Sequence, residues 1–210
     1  MRENFKLTLS GTDIEPSDQI LDLGVKFSIH QSFHCHLEYA SMKANRVINM
    51  VKHNLRVRST EVLRIIYQMY FQPRITYASQ LWFNLDDLVI TKVNELDRQF
   101  WKLAGTIRRP DVLTTVQLMV VQQLMLFFDY KHGGVCLDLE DDFQECQNMI
   151  STRRMRNEEL NLPKPRIESK REEFVYTTTR LYNMLSVDQR NEQKRSIFKR
   201  SAIALAREKF

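Results

Sequence analysis

Residues 32–56 carry the most regular hydrophobic pattern in the chain. Their apolar positions recur at three- and four-residue intervals and are Leu37, Ala40, Ala44, Val47, Ile48, Val51 and Leu55. At 100° per residue these positions fall within an arc of roughly 100°, which is one face of an amphipathic helix. The rest of the circumference is basic, with Lys43, Arg46, Lys52, His53 and Arg56 against the single acid Glu38. The pattern predicts a helix that packs on a core through one face and presents cations on the other.

The N-terminal 30 residues have a different period. Phe5, Leu7 and Leu9 alternate with polar residues, Ser10-Gly11 follows, and a second apolar run extends over residues 20–27. Alternation bounded by turn residues is typical of strands, so we expect a hairpin or a three-stranded ribbon. An apolar run closes on Leu23-Gly24, which predicts a turn of chain beside the basic helix.

Downstream, the periodicity is helical. Ser59 is a candidate N-cap for a helix that contains Pro73, and the proline predicts a kink or break near residues 71–72 because it lacks a backbone donor. Asp86 or Asp87 can cap a third helix, which we expect to end at Gly105. Its apolar positions are Val89, Val93, Leu96, Phe100 and Leu103.

The remaining segments complete a predominantly helical prediction. We expect a fourth helix from Pro110-Asp111 to Gly133-Gly134, a short acidic helix over 138–150 and a charged linker over 151–173. Residues 172–185 fit a strand or a helix, and the C-terminal segment is predicted to be a helix. The predicted fold class is mainly α, with an N-terminal β-hairpin (1–30), a helical bundle (31–105), additional helices (106–150), the linker (151–173) and a helical C-terminal extension (174–210).

Charge is segregated along the chain. The 210 residues carry a net charge of +5, and 43% of them are hydrophobic, enough for a sizeable core. Residues 42–75 hold seven basic residues and one acid, and residues 190–210 hold seven basic residues and two acids, whereas acids cluster at 138–145. Such segregation favours a polyanionic partner over a uniformly solvated surface, which is the alternative.

Cysteine content and hydropathy indicate where in the cell the protein is expected. Three cysteines form no framework and no signal peptide is apparent, so we expect an intracellular protein of the nucleus or cytoplasm. The longest uncharged run, residues 112–128, contains three Gln and two Thr and is shorter than the roughly 20 apolar residues that a bilayer requires. It predicts a buried helix, and we expect no membrane association.

Enzymatic signatures are weak. Asp86-Asp87 and Asp141-Asp142 resemble two-metal carboxylate pairs, but adjacent carboxylates on a helix diverge, and capping explains them better. His30, His34, Cys35 and His36 leave open a metalloenzyme, although no second ligand pair completes a zinc site and His36 better fits a packing or hydrogen-bonding role. No nucleophile elbow or phosphate-binding loop is present. We therefore predict no catalytic residue, no metal ligand and no cofactor.

The basic helix carries the binding prediction. A cationic face on a rigid helix can follow a phosphate backbone, so an RNA or DNA duplex is the expected partner. The predicted contacts are Lys43, Arg46, Lys52, Arg56 and Arg58.

Two segments resemble a known family. "DLGVKFSIHQSFHCHLEYASMKANRVINMVKHNLR" and "LRIIYQMYFQPRITYASQLWFN" are similar to the region after the palm in reverse transcriptases of non-LTR (LINE-type) retrotransposons. The matching positions are Leu23, Gly24, Val25, His36, Lys43, Ala44, Tyr67, Pro73, Tyr77, Ala78 and Trp82. "NELDRQFWKLAG" resembles the family's next helix, and a looser match near the C-terminus has Tyr182 for a tryptophan and Ser186 for a proline.

The resemblance implies a function, and it also indicates that the catalytic motif of the family is missing. In such enzymes the Leu-Gly segment is the primer grip, here Leu23 and Gly24, and the following helices form the thumb that clamps the primer–template. The catalytic Asp-Asp turn of the palm, whose carboxylates would hold Mg²⁺, has no counterpart among the residues before Leu23. We therefore expect a fragment of an RNA-directed DNA polymerase that is inactive alone and binds a duplex, and a separate palm-bearing chain or other protein is a further candidate partner. The alternatives are a protein–protein interaction module and a decayed remnant without a selected function.

Overall fold

The computed structural model describes residues 7–9, 11–14, 17–29, 33–56, 59–103, 111–136, 143, 160–162 and 174–210. Helices dominate this part of the chain, and short antiparallel hairpins precede them, so the predicted fold class is confirmed. The predictions for Gly105, for Arg58, and for a helix over 138–150 concern residues outside these ranges, apart from Phe143.

Two separate two-stranded hairpins occupy the described N-terminal residues, rather than a three-stranded ribbon. Strands β1 (Leu7–Leu9) and β2 (Thr12–Ile14) pair around Gly11. Strands β3 (Gln19–Asp22) and β4 (Val25–Ser28) pair with Asp22 opposite Val25, which leaves Leu23 and Gly24 as a two-residue turn. The turn that the sequence predicted at Leu23-Gly24 is confirmed.

Helix α1 (His34–Asn54) forms the predicted amphipathic rod. Six of its seven predicted apolar positions are buried and Leu55, just past its end, is half-buried. Its N-terminal half contacts β4, which places the basic helix beside the Leu23-Gly24 turn.

Helix α2 (Thr60–Ile66) begins at the predicted cap, since the Ser59 side chain accepts a hydrogen bond from the Val62 amide. It continues into one π-helical stretch (Tyr67–Phe71) and then α3 (Gln72–Thr76), which has Pro73 in its first turn. The Gln72 amide bonds the Tyr67 carbonyl five residues back, which widens the helix just before the proline. The helix therefore continues through residues 71–72, where the sequence predicted a kink or break, and the irregularity there is a π-helical widening.

Helices α4 (Ser79–Trp82) and α5 (Asp87–Lys102) follow. The Asp86 carboxylate accepts the Leu88 amide at 3.2 Å, so Asp86 is the cap and its neighbour Asp87 lies in the first helical turn. This arrangement matches the capping interpretation of the Asp86-Asp87 pair.

Helix α6 (Thr115–Lys131) is the central buried helix. The predicted start at Pro110-Asp111 was wrong, because Thr114 and Gln117 form a reciprocal capping box that sets the N-terminus four residues later. Its end agrees with the prediction, with Gly133 in a left-handed conformation (φ +70°). Among the described helices, none combines the length and apolar character needed to cross a bilayer.

The C-terminal helices pack against α6. They are α7 (Phe174–Asn183), which resolves the strand-or-helix alternative, α8 (Val187–Arg190) and α9 (Arg195–Lys209). Arg195 makes a bidentate ion pair with Asp129 of α6, at 2.7 and 2.9 Å. Within the predicted linker, Leu160 is buried and its backbone is bonded at both ends by the Asn183 side chain.

One hydrophobic cluster unites the described helices, from Leu37 of α1 to Ala206 of α9. Helices α3 and α5 contact both α1 and α6, while α9 packs on α6. The basic helix α1 thus packs on a core that extends through α6 to the C-terminal helix.

Candidate nucleic-acid interface

The turn between β3 and β4 has both of its residues in the left-handed region. Leu23 has φ +44° and Gly24 has φ +85°, the combination that a tight turn between twisted strands requires. Glycine adopts this conformation at little cost, whereas a leucine pays about 1 kcal/mol. The Leu23 side chain is 85% exposed, so its own burial does not offset that cost. Strain of this kind is typical of functional turns.

Tyr77 holds this turn in place through its hydroxyl and its ring. Its hydroxyl donates a 2.7 Å hydrogen bond to the Leu23 carbonyl, and its ring lies so close to Gly24 that an added Cβ would be 3.3 Å from Cε1. The Trp82 indole donates to the Tyr77 carbonyl at 3.1 Å, which ties the tyrosine to α4. The turn therefore has a fixed position relative to the helices although 54 residues separate Leu23 from Tyr77.

His36 fixes strand β4 to helix α1. The Lys26 amide donates to His36 Nδ1 at 3.1 Å, and the imidazole packs edge-on against Trp82 with ring centroids 5.3 Å apart. Burial, together with the nearby Lys43 charge, lowers the pKa of His36 from 6.5 to about 4. A neutral ring is what the bond needs, since Nδ1 must accept. The hydrogen-bonding role predicted for His36 is confirmed.

The metal alternative gains no support in this region. Within the described ranges, no three His, Cys, Asp or Glu side chains are grouped so as to hold a metal ion. Cys35 donates its thiol to the Lys26 carbonyl at 3.7 Å, and His30 lies outside the described residues.

A cluster of cations lies on the protein surface at Tyr39. The Lys43 ammonium is 4.1 Å from the centre of the Tyr39 ring, and the Lys26 ammonium is 5.5 Å from it. The π-face of the tyrosine attracts both cations and so offsets part of their mutual repulsion. Arg46 is exposed one turn further along α1 and makes no ion pair with an acid of the described chain. We call Lys26, Tyr39, Lys43 and Arg46, with the Leu23-Gly24 turn, the hairpin–helix surface.

The other predicted contacts lie elsewhere on α1. Lys52 and Arg56 are exposed, as predicted for the basic side of the helix, but Lys52 is about 180° around the axis from Lys43. Arg58 is not among the described residues. Lys43 and Arg46 therefore lie about 60° apart on one side of α1, where Lys43 meets Lys26 of the hairpin at Tyr39, and Lys52 lies on the opposite side.

Sequence reasoning missed Lys26, Tyr39 and the supporting role of Tyr77. Lys26 lies in the strand opposite Leu21, and only the docking of β4 on α1 brings it to Tyr39. The one available signal was Tyr77, which belongs to the Tyr-Ala pair of the family resemblance.

The chain matches no protein-family model, no curated protein and no solved structure. The likeness to reverse transcriptases consequently stays a prediction from the quoted motifs.

Proposed function

We propose that the chain is a reverse-transcriptase-derived fragment that binds nucleic-acid duplexes through the hairpin–helix surface and performs no polymerase chemistry itself. The proposal adds Lys26 and Tyr39 to the contacts predicted from the sequence. It assigns no catalytic residue, metal or cofactor to the chain.

The observation that carries the proposal is the convergence of Lys26 and Lys43 on Tyr39 beside an exposed backbone turn. Lys26 and Lys43, on two packed elements, are held by the same tyrosine ring, so less side-chain entropy is lost when they bind phosphates than for free lysines. The Leu23-Gly24 turn lies next to Lys26 in the chain, with the Leu23 side chain exposed and Gly24 packed against the Tyr77 ring.

Binding of this kind is indifferent to sequence. Lysine and arginine contacts to phosphates fix the position of a protein on a duplex but carry no base information. We therefore expect similar affinities for RNA–DNA hybrids of unrelated sequence.

The test is a comparison of affinities by fluorescence anisotropy, with a labelled RNA–DNA hybrid at low salt. Replacing Lys43 and Arg46 together by alanine should weaken binding at least about fivefold, which is roughly 1 kcal/mol. The matched control replaces Lys199 and Arg200, two exposed cations of α9, by alanine and should retain more than half of the affinity. Equal affinity of the two double variants would refute this placement of the site.

A protein-binding function is the second candidate, favoured by the apolar exposure of the β3–β4 hairpin. Ile20 and Leu21 are 62% and 52% exposed, and β3 has no second strand partner among the described residues. An open, apolar edge strand is a template for pairing with another chain, such as one that bears a palm. Concentration-dependent sedimentation that Leu21→Lys abolishes, without any affinity for the hybrid, would favour this candidate.

A further inference from the structure

A groove separates the N-terminal halves of α1 and α5. It is a cavity of about 700 Å³, lined by residues from two successive turns of each helix between positions 34–41 and 87–95. It opens on a different side of α1 from the hairpin–helix surface, because Glu38 on its rim is roughly 140° around the axis from Lys43.

The floor of the groove is apolar. Leu37 lies at its base, and the Ser41 hydroxyl donates to the Leu37 carbonyl at 2.7 Å, so its hydrogen-bonding capacity is used within its own helix. Leu88 lies at the edge with 55% of its surface exposed. An occupant that covers Leu88 would remove apolar surface from water, whereas Leu37 is already only 4% exposed.

The rim is acidic. Glu38, Asp87 and Glu95 surround the floor, and Lys92 is the one lysine or arginine that lines it, so the rim carries a charge of −2 in a chain whose net charge is +5. No ion pair within the described part of the chain joins any of these three carboxylates to a cation. Glu95 accepts only a 3.5 Å bond from the Gln99 amide.

We infer that this groove binds a basic amphipathic helix of a partner protein. The exposed leucine and the apolar floor require an apolar stripe, and the three carboxylates require lysines or arginines beside it. A partner helix that presents residues at i, i+3, i+4 and i+7 matches the two turns offered by each wall. Phosphates of nucleic acid and of anionic lipid are disfavoured here, since the rim would repel them.

The consequence is that α1 separates two binding surfaces of opposite charge. Lys43 and Arg46 lie on the flank next to β4, whereas Glu38 lies on the flank next to α5. The two surfaces share no residue, so a duplex and a basic helix bind at the same time.

The probe is a fluorescein-labelled 14-residue peptide with leucine and lysine at helical spacing, and its anisotropy is measured against the full chain. A peptide with glutamate in place of each lysine and a scrambled leucine–lysine peptide are the reference ligands. Binding of the first peptide at least about tenfold tighter than either reference, a difference of roughly 1.4 kcal/mol, supports the inference. Equal binding of all three overturns it.

Two variants test the location. Glu38→Gln together with Glu95→Gln should weaken peptide binding about tenfold, and Leu88→Ala should weaken it about threefold. Asp188→Asn, which neutralises an exposed acid of α8, is the matched control and should change binding less than twofold. Circular dichroism confirms folding of each variant, and wild-type affinity in a folded Glu38/Glu95 variant overturns the inference.

A crossed set of variants separates this inference from the proposed function. Leu88→Ala should leave the affinity for the RNA–DNA hybrid unchanged within twofold, and the Lys43/Arg46 double alanine variant should not weaken peptide binding; a loss of either affinity would contradict separate surfaces. The peptide measurement needs no nucleic acid. Peptide binding in the groove can therefore be refuted while duplex binding at the hairpin–helix surface is upheld, and duplex binding can be refuted while peptide binding is upheld.

Discussion

The buried imidazole of His36 should make the stability of the protein depend on pH. Its pKa falls from 6.5 to about 4 in the folded state because of burial and the Lys43 charge. At about 1.4 kcal/mol per pKa unit, this lowering corresponds to roughly 3 kcal/mol of free energy of unfolding. Protonation would also place an N–H on the nitrogen that accepts the Lys26 amide, so the bond between β4 and α1 would be lost.

The sign follows from proton binding. Between pH 6.5 and about 4 the unfolded chain binds a proton at His36 that the folded chain does not. The contribution of His36 is therefore fully present above pH 6.5 and is lost progressively as the pH falls toward 4. Stability should decrease with acidification over this window and not with a rise toward pH 8.

Urea unfolding from pH 7.5 to 4 measures the effect. His36→Asn is the informative variant, because its side-chain oxygen can still accept from the Lys26 amide but does not titrate. The free energy of unfolding of the wild type relative to this variant should fall by about 3 kcal/mol across the window. The control is His53→Asn, which changes an exposed histidine on the same helix and should show no such trend. A pH-independent difference between wild type and His36→Asn would refute the reasoning.

Two further substitutions test the supports of the fold. Gly24→Ala should lower the free energy of unfolding by about 1–2 kcal/mol in urea, because alanine at φ +85° is strained and its Cβ would be 3.3 Å from the Tyr77 ring. A change below about 0.3 kcal/mol would contradict the described turn. At the start of α6, the Asp97 carboxylate accepts hydrogen bonds from both the amide and the hydroxyl of Thr115, at 2.8 and 2.6 Å. Asp97→Asn should therefore lower the free energy of unfolding by about 1–3 kcal/mol. Wild-type stability of that variant would exclude a capping role for Asp97.

Much of the fold follows from local signals in the sequence. The apolar spacing of α1 and the Ser59 and Asp86 caps depend on residues within a few positions of each other, and the structure agrees with them. The kink or break expected at Pro73 is instead a π-helical widening of a continuous helix. The start of α6 was misplaced because Pro110-Asp111 is also an acceptable helix start. The Thr114–Gln117 capping box and the buried Asp97 decide between the two, and the second of these is a tertiary contact.

The candidate site was only partly predictable, for the same physical reason. Leu23-Gly24 and the basic side of α1 are local features, so the sequence indicates them. The meeting of Lys26 with Lys43 at Tyr39, and the support of the turn by Tyr77, need contacts between separate elements. Helical periodicity already separates Lys43 from Lys52 by about 180°, but it does not say which elements lie beside α1, and the docking of β4 and α5 on this helix supplies that.

The salt dependence of duplex binding tests the central claim most directly. The logarithm of the association constant for an RNA–DNA hybrid falls linearly with the logarithm of salt concentration, with a slope of about 0.7–0.9 per phosphate contact. Replacing Lys43 and Arg46 by alanine should reduce the magnitude of this slope by about 1.4–1.8, because two contacts are lost. A slope identical to that of the wild type would show that the hairpin–helix surface does not bind the phosphate backbone.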